Sequence, residues 1–376
     1  MILKRLLYLG YYLKNLNLDL LKTFMEKVKQ DTGRNKISQW MDILSSSLRY
    51  NISLLEYYQF GFYHQKSAAK KQWAGTGFMY EYQLEMNPPQ QRGILDDKRK
   101  FHQGYSEFYV HSMATLEAIK KNHSLLDPFL NHISGKFVLK KSTGKCGAEV
   151  EVLPHRSFTQ TALLDYMEQN GFDMIEEFIT QHPKIQELAP NAVNTIRIFT
   201  QLNAKDQVEI LGCRMRISVN SSVDNMAAGN MAAPVDEATG IVIGPGVYSD
   251  ITKDPEVDHP LTKVSIIGFK IPFWQEILEM VKKAALKHPQ NRSIGWDIVV
   301  TENGPGLIEG NHDWCKLVWQ LPVNQGLKAI LERHLREWKE MGRKPKDRIR
   351  DSRGGRKEDA AGAAFFPISR DRHGTL

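Results

Sequence analysis

The sequence has few cysteines, no long apolar run and none of the short signatures that settle a chemistry by themselves. Its three cysteines, Cys146, Cys213 and Cys315, are odd in number and far apart. That fits a reducing compartment and argues against a disulfide framework. No CxxC pair is present, so a zinc site has little support. The apolar-rich stretch near the start, LLYLGYYL, is far short of the roughly 20 residues that span a bilayer. Asn15-Leu16-Asn17-Leu18 lacks the small-residue cleavage site of a secretory signal. A GxxxxGK[ST] phosphate loop and a G-x-S-x-G elbow are both missing.

Positive charge is also scarce where nucleic acid would need it. The formal net charge is +7, but residues 343–376 carry +5 and residues 1–30 carry +4, which leaves the other 312 residues at −2. A basic groove for duplex or RNA needs its charge on the body, so no nucleic-acid partner is expected. Apolar content of 41% and charged content of 25% are those of an ordinary globular protein, and 376 residues suffice for two or three lobes. Residues 1–30 allow a basic amphipathic helix lying on an anionic membrane, a peripheral association. The alternative, a first helix packed on the body, is favoured because Leu and Tyr surround it rather than occupying one stripe. A cytoplasmic location is expected, at the inner face of the membrane if residues 1–30 meet lipid.

Along the chain, 1–92 reads as helical, and MNPPQQRG (86–93) breaks the pattern because two prolines cannot continue a helix. A helix then starts at DDKRKFHQ with aspartate at its N-terminus. FVLKK (137–141) and VEVL (150–153) read as strands around a glycine-containing loop, SFTQTALLDYMEQN as a helix ending at Gly171, and DMIEEFI as a short strand. NTIRIFTQL and EILGCRMRIS alternate as paired strands. SSVDNMAAGNMAAPVDEATG reads as a loop, followed by helices over about 274–287 and 325–341. The tail 343–376 is charged and aperiodic, a disordered basic tail whose deletion should leave stability unchanged.

SIGWDIVVTENGPGLIEGN (293–311) reads as two apolar runs folded into a hairpin by a Gly-Pro-Gly turn. Residues two apart on a strand share a face, so Glu309 and Asn311 meet Asp297. Carboxylates so placed repel one another or hold a cation, and two carboxylates with an amide oxygen are hard ligands suited to Mg²⁺. Upstream, FVLKKSTGKCGAEVEV puts Ser142, Gly144 and Gly147 in a loop able to approach phosphate oxygens, with Lys140 at the end of the preceding strand. Lys98 lies at a helix start. Arg197, Arg214 and Arg216 lie on strands, the last two on one face, where a buried guanidinium calls for an anion.

In this order the motifs resemble the ATP-grasp superfamily, and most closely the sugar-transfer-associated ATP-grasp family. The matched pieces are DDK, VLKKSTGKCGAE, IEEFI, NTIRIFT and GWDIVVTENGPGLIEGN, over about 95–335. The resemblance implies an α+β, ATP-grasp fold: two α+β lobes clasping ATP, preceded by an α-rich N-terminal region. The expected division is 1–94 for that region, 95–180 for the small lobe with its flexible loop, 181–342 for the large lobe with the metal site, and 343–376 for the tail. It implies that Lys98 and Lys140 contact ATP and that the loop 142–149 closes over the triphosphate, although its glycines are fewer than is common in the superfamily. Glu176 or Glu177, with main-chain atoms near Phe178 and Ile179, would hold adenine. Asp297, Glu309 and Asn311 would bind Mg²⁺, and Arg197, Arg214 or Arg216 would neutralise the γ-phosphate and a developing acyl phosphate. The implied activity is carboxylate–amine ligation, with a small-molecule carboxylate and an amine or glycan as substrates, in surface polysaccharide or related conjugate biosynthesis. Two alternatives stand beside it. One is a kinase using His312 or Asp313 as a base, and the other is an ATP-binding module without turnover.

Overall fold

The computed structural model describes residues 2–142, 150–221 and 224–342. The loop glycines Gly144 and Gly147 and the tail 343–376 lie outside the described residues.

Two antiparallel sheets organise the body. The smaller contains β1 (Met113–Thr115), β2 (Lys136–Lys140), β3 (Val150–Pro154) and β4 (Met174–Glu177), in the order β1-β4-β2-β3. Phe137 and Leu139 of β2 point inward with Ile175 and meet Leu163 and Met167 of the helix Gln160–Asn170. That helix is capped by Thr159, whose hydroxyl accepts the Ala162 N–H, and it ends where Gly171 turns left-handed at φ 69°. The opposite face is exposed at β3, through Val150 and Val152, while Met174 and Glu176 of β4 are buried on it.

The larger sheet contains β5 (Ile196–Leu202), β6 (Val208–Ile217), β7 (Met231–Val235), β8 (Ser293–Thr301) and β9 (Gly304–Asn311), in the order β7-β6-β5-β8-β9. Every residue of β5 and β8 is buried, because both faces are covered. One face sets Ile196, Ile198, Trp296 and Ile298 against Ile277, Val281 and Ala284 of the helix Trp274–Lys287. The other packs Phe199 on Trp314 at a centroid distance of 4.9 Å. The helix Thr76–Met86 contributes Met79, Tyr82 and Met86 to that same cluster, and the helix Lys328–Glu340 contributes Leu331.

Two expectations about the strands are corrected. The segment 221–240 is not simply a loop: it contains β7, whose five residues are all buried. Met-Ala-Ala-Pro-Val shows neither alternation nor strong strand preference, and Pro234 is tolerated because β7 is a sheet edge. The hairpin turn is Glu302-Asn303 rather than Gly-Pro-Gly, since Gly304 opens β9 at φ 118°. Gly306 lies within that strand, where a Cβ would come within 2.4 Å of Val110.

The N-terminal helices Ile2–Lys14, Leu18–Thr32, Lys36–Tyr50 and Leu54–Gln59 enclose an aromatic core of Phe24, Tyr57, Tyr58, Phe60, Phe62 and Trp73. Buried Glu56 ties it to the body by accepting from Thr76 N (3.0 Å), Thr76 Oγ1 (2.7 Å) and Lys316 Nζ (2.8 Å). In the first helix Leu and Tyr do not surround the axis evenly: Tyr8 and Tyr12 are buried, whereas Leu3, Leu6, Leu7 and Leu13 are exposed. Among the described residues no helix is long and apolar enough to cross a membrane.

Candidate functional site

Alternation along β5, β6 and β8 sends Ile196, Ile198, Met215, Trp296 and Ile298 to one face and Arg197, Arg214, Arg216 and Asp297 to the other. Arg197 pairs with Asp297 across one ladder and with Arg214 across the other. The Arg197 fork grips both carboxylate oxygens of Asp297: Nε donates to Oδ1, and Nη2 to Oδ2 at 2.7 Å. Arg216 donates to the same Oδ2 at 3.0 Å and reaches Asp224 Oδ1 at 2.8 Å. Burial alone would raise the Asp297 pKa, but the two guanidinium groups outweigh it and hold the carboxyl well below the usual range. Burial likewise works against the Arg216 charge, and Asp224, Asp297 and Glu309 more than restore it.

Glu309 stands opposite Asp297 in the β8–β9 register, where a bulge at Asp297/Ile298 shifts the pairing. Asn311 Nδ2 donates to Glu309 Oε1 at 3.2 Å and to the Gly295 carbonyl at 3.4 Å. Burial and the neighbouring Asp297 carboxylate raise the Glu309 pKa. The structure therefore brings Asp297, Glu309 and Asn311 together. Part of the cation between the strands is arginine, which serves Asp297 and leaves Glu309 under-compensated. Two hard carboxylates in contact, one short of positive charge, with an amide beside them, fit a divalent cation. Among the described residues no group of three or more His, Cys, Asp or Glu residues forms a metal cluster, so an Mg²⁺ site would use this mixed carboxylate–amide set.

Arg214 goes elsewhere. Its Nε and Nη2 both donate to the Trp319 carbonyl, at 3.1 and 2.5 Å, and Nη1 to the Cys213 carbonyl at 2.7 Å. Burial pulls its pKa down to about 10.

On the small sheet Lys140 forms an ion pair with the buried Glu176, and His111 Nε2 lies 3.5 Å from the same carboxylate. Burial opposes ionisation of Glu176, but Lys140 and His111 prevail and its pKa falls to about 2. Glu177 accepts the Ser112 N–H at 2.8 Å and is paired with His132. Lys98 begins the helix Lys98–Tyr105, capped by Asp97; its Nζ donates to the Lys141 carbonyl at 3.3 Å and its main-chain N–H to the Ser142 carbonyl at 3.2 Å. Ser142 N donates to Asp173 Oδ1 at 2.7 Å. Phe178 and Ile179 lie in the connection from β4 to His182, whose N–H donates to Val300 of β8 at 2.7 Å.

A second crossing, Tyr109 to Ser112, joins the sheets. Tyr109 Oη donates to the Ile308 carbonyl at 3.3 Å, and the hydroxyl pKa is raised first by burial and then by both Glu176 and Glu309. One tyrosine thus feels the acidic groups of both lobes. Among the described residues His111 Nδ1, beside Glu176, and Arg216 Nε, in the Asp297 network, are buried without a hydrogen-bond partner, as is His312 Nδ1 at the end of β9; such atoms are open to a polar ligand or water. His111, Tyr109, Asp224 and Asp173 were not singled out by sequence reasoning. Only the aspartates carry a signal there, and it is a weak one in loops without period.

The family model described as sugar-transfer associated ATP-grasp matches residues 78–335, more than half of the chain, and the protein belongs to that family. The two sheets are accordingly an ATP-grasp body, and the match begins inside the helix Thr76–Met86 that packs beneath the larger one. No curated protein matches the chain. Solved structures similar to it include an ADP complex of purK, N5-carboxyaminoimidazole ribonucleotide synthetase, at 10% identity and TM-score 0.35, covering 58% of this chain and 45% of that one. The ATP-grasp ligase PsnB with its minimal precursor gives 11% identity, TM-score 0.38 and coverage of 67% and 63%. D-alanine–D-alanine ligase from Helicobacter pylori gives 15%, 0.37, 67% and 59%. The chain spans less than two thirds of each of these structures, and such scores carry no argument about its chemistry.

Proposed function

We propose that this protein is an ATP- and Mg²⁺-dependent carboxylate–amine ligase that works through an acyl phosphate. The observation that carries the reading is the end of the large sheet: Asp297, Glu309 and Asn311 are gathered with Arg197 and Arg216, and the segment Tyr109–Ser112 bridges to the strand of Glu176 through Ile308 and Glu177. Lys98 and Lys140 would hold the nucleotide, with main-chain atoms near Phe178 and Ile179 at the adenine. Glu176 fixes the Lys140 ammonium, and Glu177 fixes the connection through Ser112. Mg²⁺, held by Glu309, Asn311 and an oxygen of Asp297, would neutralise phosphate oxygens when bound.

In the first step an oxygen of the substrate carboxylate attacks the γ-phosphorus, the bond to the bridging oxygen breaks, and ADP leaves. Arg197 is committed to Asp297, so its part is to set that carboxylate in place. Arg216, with Nε unpartnered, is the guanidinium available to the transferring phosphoryl group, where fixed charge counts most. In the second step the amine attacks the acyl carbon, phosphate departs, and the amine proton is lost to solvent or to phosphate. A sugar acid, amino acid or amino sugar of surface-glycan assembly is the substrate class that the family's description suggests.

The test is product chemistry. Presented with a panel of carboxylates and amines, the enzyme is expected to release free phosphate only when both substrates are present, and hydroxylamine is expected to trap the acyl phosphate as a hydroxamate. A product that keeps the label of [γ-³²P]ATP would instead make the protein a kinase. His312, whose Nε2 lies 2.9 Å from Asp96 Oδ1, would then be the base to examine. ATP binding without turnover on any acceptor would leave a binding module.

A further inference from the structure

The first helix, Ile2–Lys14, is two-faced in the opposite sense to a core helix. Its inner side is polar-tipped and fixed. Tyr8 Oη donates to Glu81 Oε1 at 3.0 Å and Tyr12 Oη to Asn51 Oδ1 at 3.3 Å. Arg5 Nη1 donates to the carbonyls of Leu48 and Arg49 at 3.1 and 3.2 Å. Its outer side follows the spacing of one helix face: Leu3, Leu6, Leu7 and Leu13 are 73, 49, 56 and 46% exposed. Gly10 lies among them with nothing within 4 Å of a Cβ built on it. Leu18, 56% exposed, continues the apolar series into the next helix. The stripe cannot roll inward without breaking the bonds of the tyrosines and Arg5, so its exposure is built in.

Charge says what covers it. Residues 1–30 carry +4, whereas the 312 residues between them and the tail carry −2. Lys14, exposed, borders the leucines, while Lys4 on their other side is turned to the body, its Nζ 2.9 Å from Glu81 Oε1. A second copy docking through the same face would set like charge against like charge, because a two-fold contact pairs a patch with itself. An anionic lipid surface satisfies both features: leucines enter the acyl boundary while the ammonium groups stay among the phosphates.

We propose that Ile2–Lys14 seats this protein on anionic membrane surfaces, with Leu3, Leu6, Leu7 and Leu13 in the lipid and Lys14 at the headgroups. The inference is independent of the reading of the catalytic site. The test is co-sedimentation of the full chain with vesicles of phosphatidylcholine alone or mixed with phosphatidylglycerol. Binding is expected on the anionic vesicles, at least about tenfold weaker on the neutral ones, and weakened by salt. The double substitution Leu6→Ser/Leu7→Ser should reduce it by about tenfold or more with an unchanged melting temperature, since both side chains face solvent. Lys14→Glu should reduce it about fivefold or more, consistent with roughly 1 kcal/mol per basic residue near such a surface. Absence of binding, equal binding to both vesicles, or indifference to both variants overturns the proposal. A dimer in sedimentation velocity that the double variant dissolves also overturns it and makes the stripe a self-association face.

Discussion

The two sheets share an antiparallel plan and differ in how they hold charge. The small sheet is covered fully on one face and only in part on the other, where its main ion pair, Lys140–Glu176, is a single contact beside His111. The large sheet is covered on both faces and carries a connected network, Arg197–Asp297–Arg216–Asp224, in which each link fixes the next. A buried network is costly to break at one point because the surviving partner is left charged in a medium that solvates it poorly. The large sheet is therefore a rigid platform for charge. The small sheet is a cover that holds one lysine.

The strongest way to break this contrast is Arg197→Met. It removes both hydrogen bonds of the fork and leaves Asp297 with Arg216 alone, so a loss of about 3–5 kcal/mol is expected, the usual cost of orphaning one member of a buried pair. Chemical denaturation followed by tryptophan fluorescence reads this directly. The sequence has 7 tryptophans and none lies between 112 and 180, so the signal reports the large lobe and the N-terminal helices. A change below about 1 kcal/mol, the scale of an exposed pair, would show that the network is not a unit.

Acid separates the sheets next. The Glu176 pKa is depressed to about 2. Its contribution to stability is thus fully present above the unfolded value of about 4.5 and is lost as pH falls through about 2, for a total of about 3 kcal/mol. Hydrogen exchange of β2 and β4 should loosen over that window, and Glu176→Gln should flatten the dependence. Protection that stays constant from pH 5 to about 2 would mean that the pair does not hold the cover.

Glu309→Gln divides function from stability on the large sheet itself. Burial and Asp297 raise the Glu309 pKa, so its negative charge works against the fold at neutral pH. Removing the charge should raise the melting temperature slightly in the presence of a chelator. Turnover should fall about a hundredfold or more, since a hard cation is held by charge. A variant that is less stable and equally active would remove Glu309 from the metal set.

Much of this architecture is legible in the residues. Alternation in NTIRIFTQL and EILGCRMRIS gives the β5–β6 pair, and two apolar runs around a glycine-containing turn give the β8–β9 hairpin, although the turn itself falls at Glu302-Asn303 and not at Gly-Pro-Gly. Other parts are not legible because they depend on partners distant in sequence. That Asp297 meets two arginines follows only from the register of three strands, and Asp224 sits in a segment without period. β7 escapes because Ala and Pro carry no pattern. The first helix misleads for a different reason. Leu and Tyr count alike as apolar, and the phenols of Tyr8 and Tyr12, which need Glu81 and Asn51, turn that side inward with Leu9 and leave Leu3, Leu6, Leu7 and Leu13 outside.

The smallest expected effect is the finest test of the platform: two arginines on one strand, two residues apart, replaced by lysine. Arg216 spans Asp224 and Asp297 and keeps Nε unpartnered beside the carboxylates. Lysine retains the charge there but loses the planar fork, so turnover should fall about tenfold or more with little change in ATP affinity. Arg214 spends its donors on the carbonyls of Trp319 and Cys213. Its role is to hold the segment at Trp319 against β6, and a lysine that makes one of those bonds should cost about 1 kcal/mol of stability. Turnover of Arg214→Lys should change less than about threefold, a shift well under 1 kcal/mol in the barrier. If instead the two variants lose turnover equally, with Arg214→Lys keeping its melting temperature, Arg214 belongs with the phosphoryl-binding groups. The charged platform would then run straight across three strands, from Asp297 through Arg197 to Arg214.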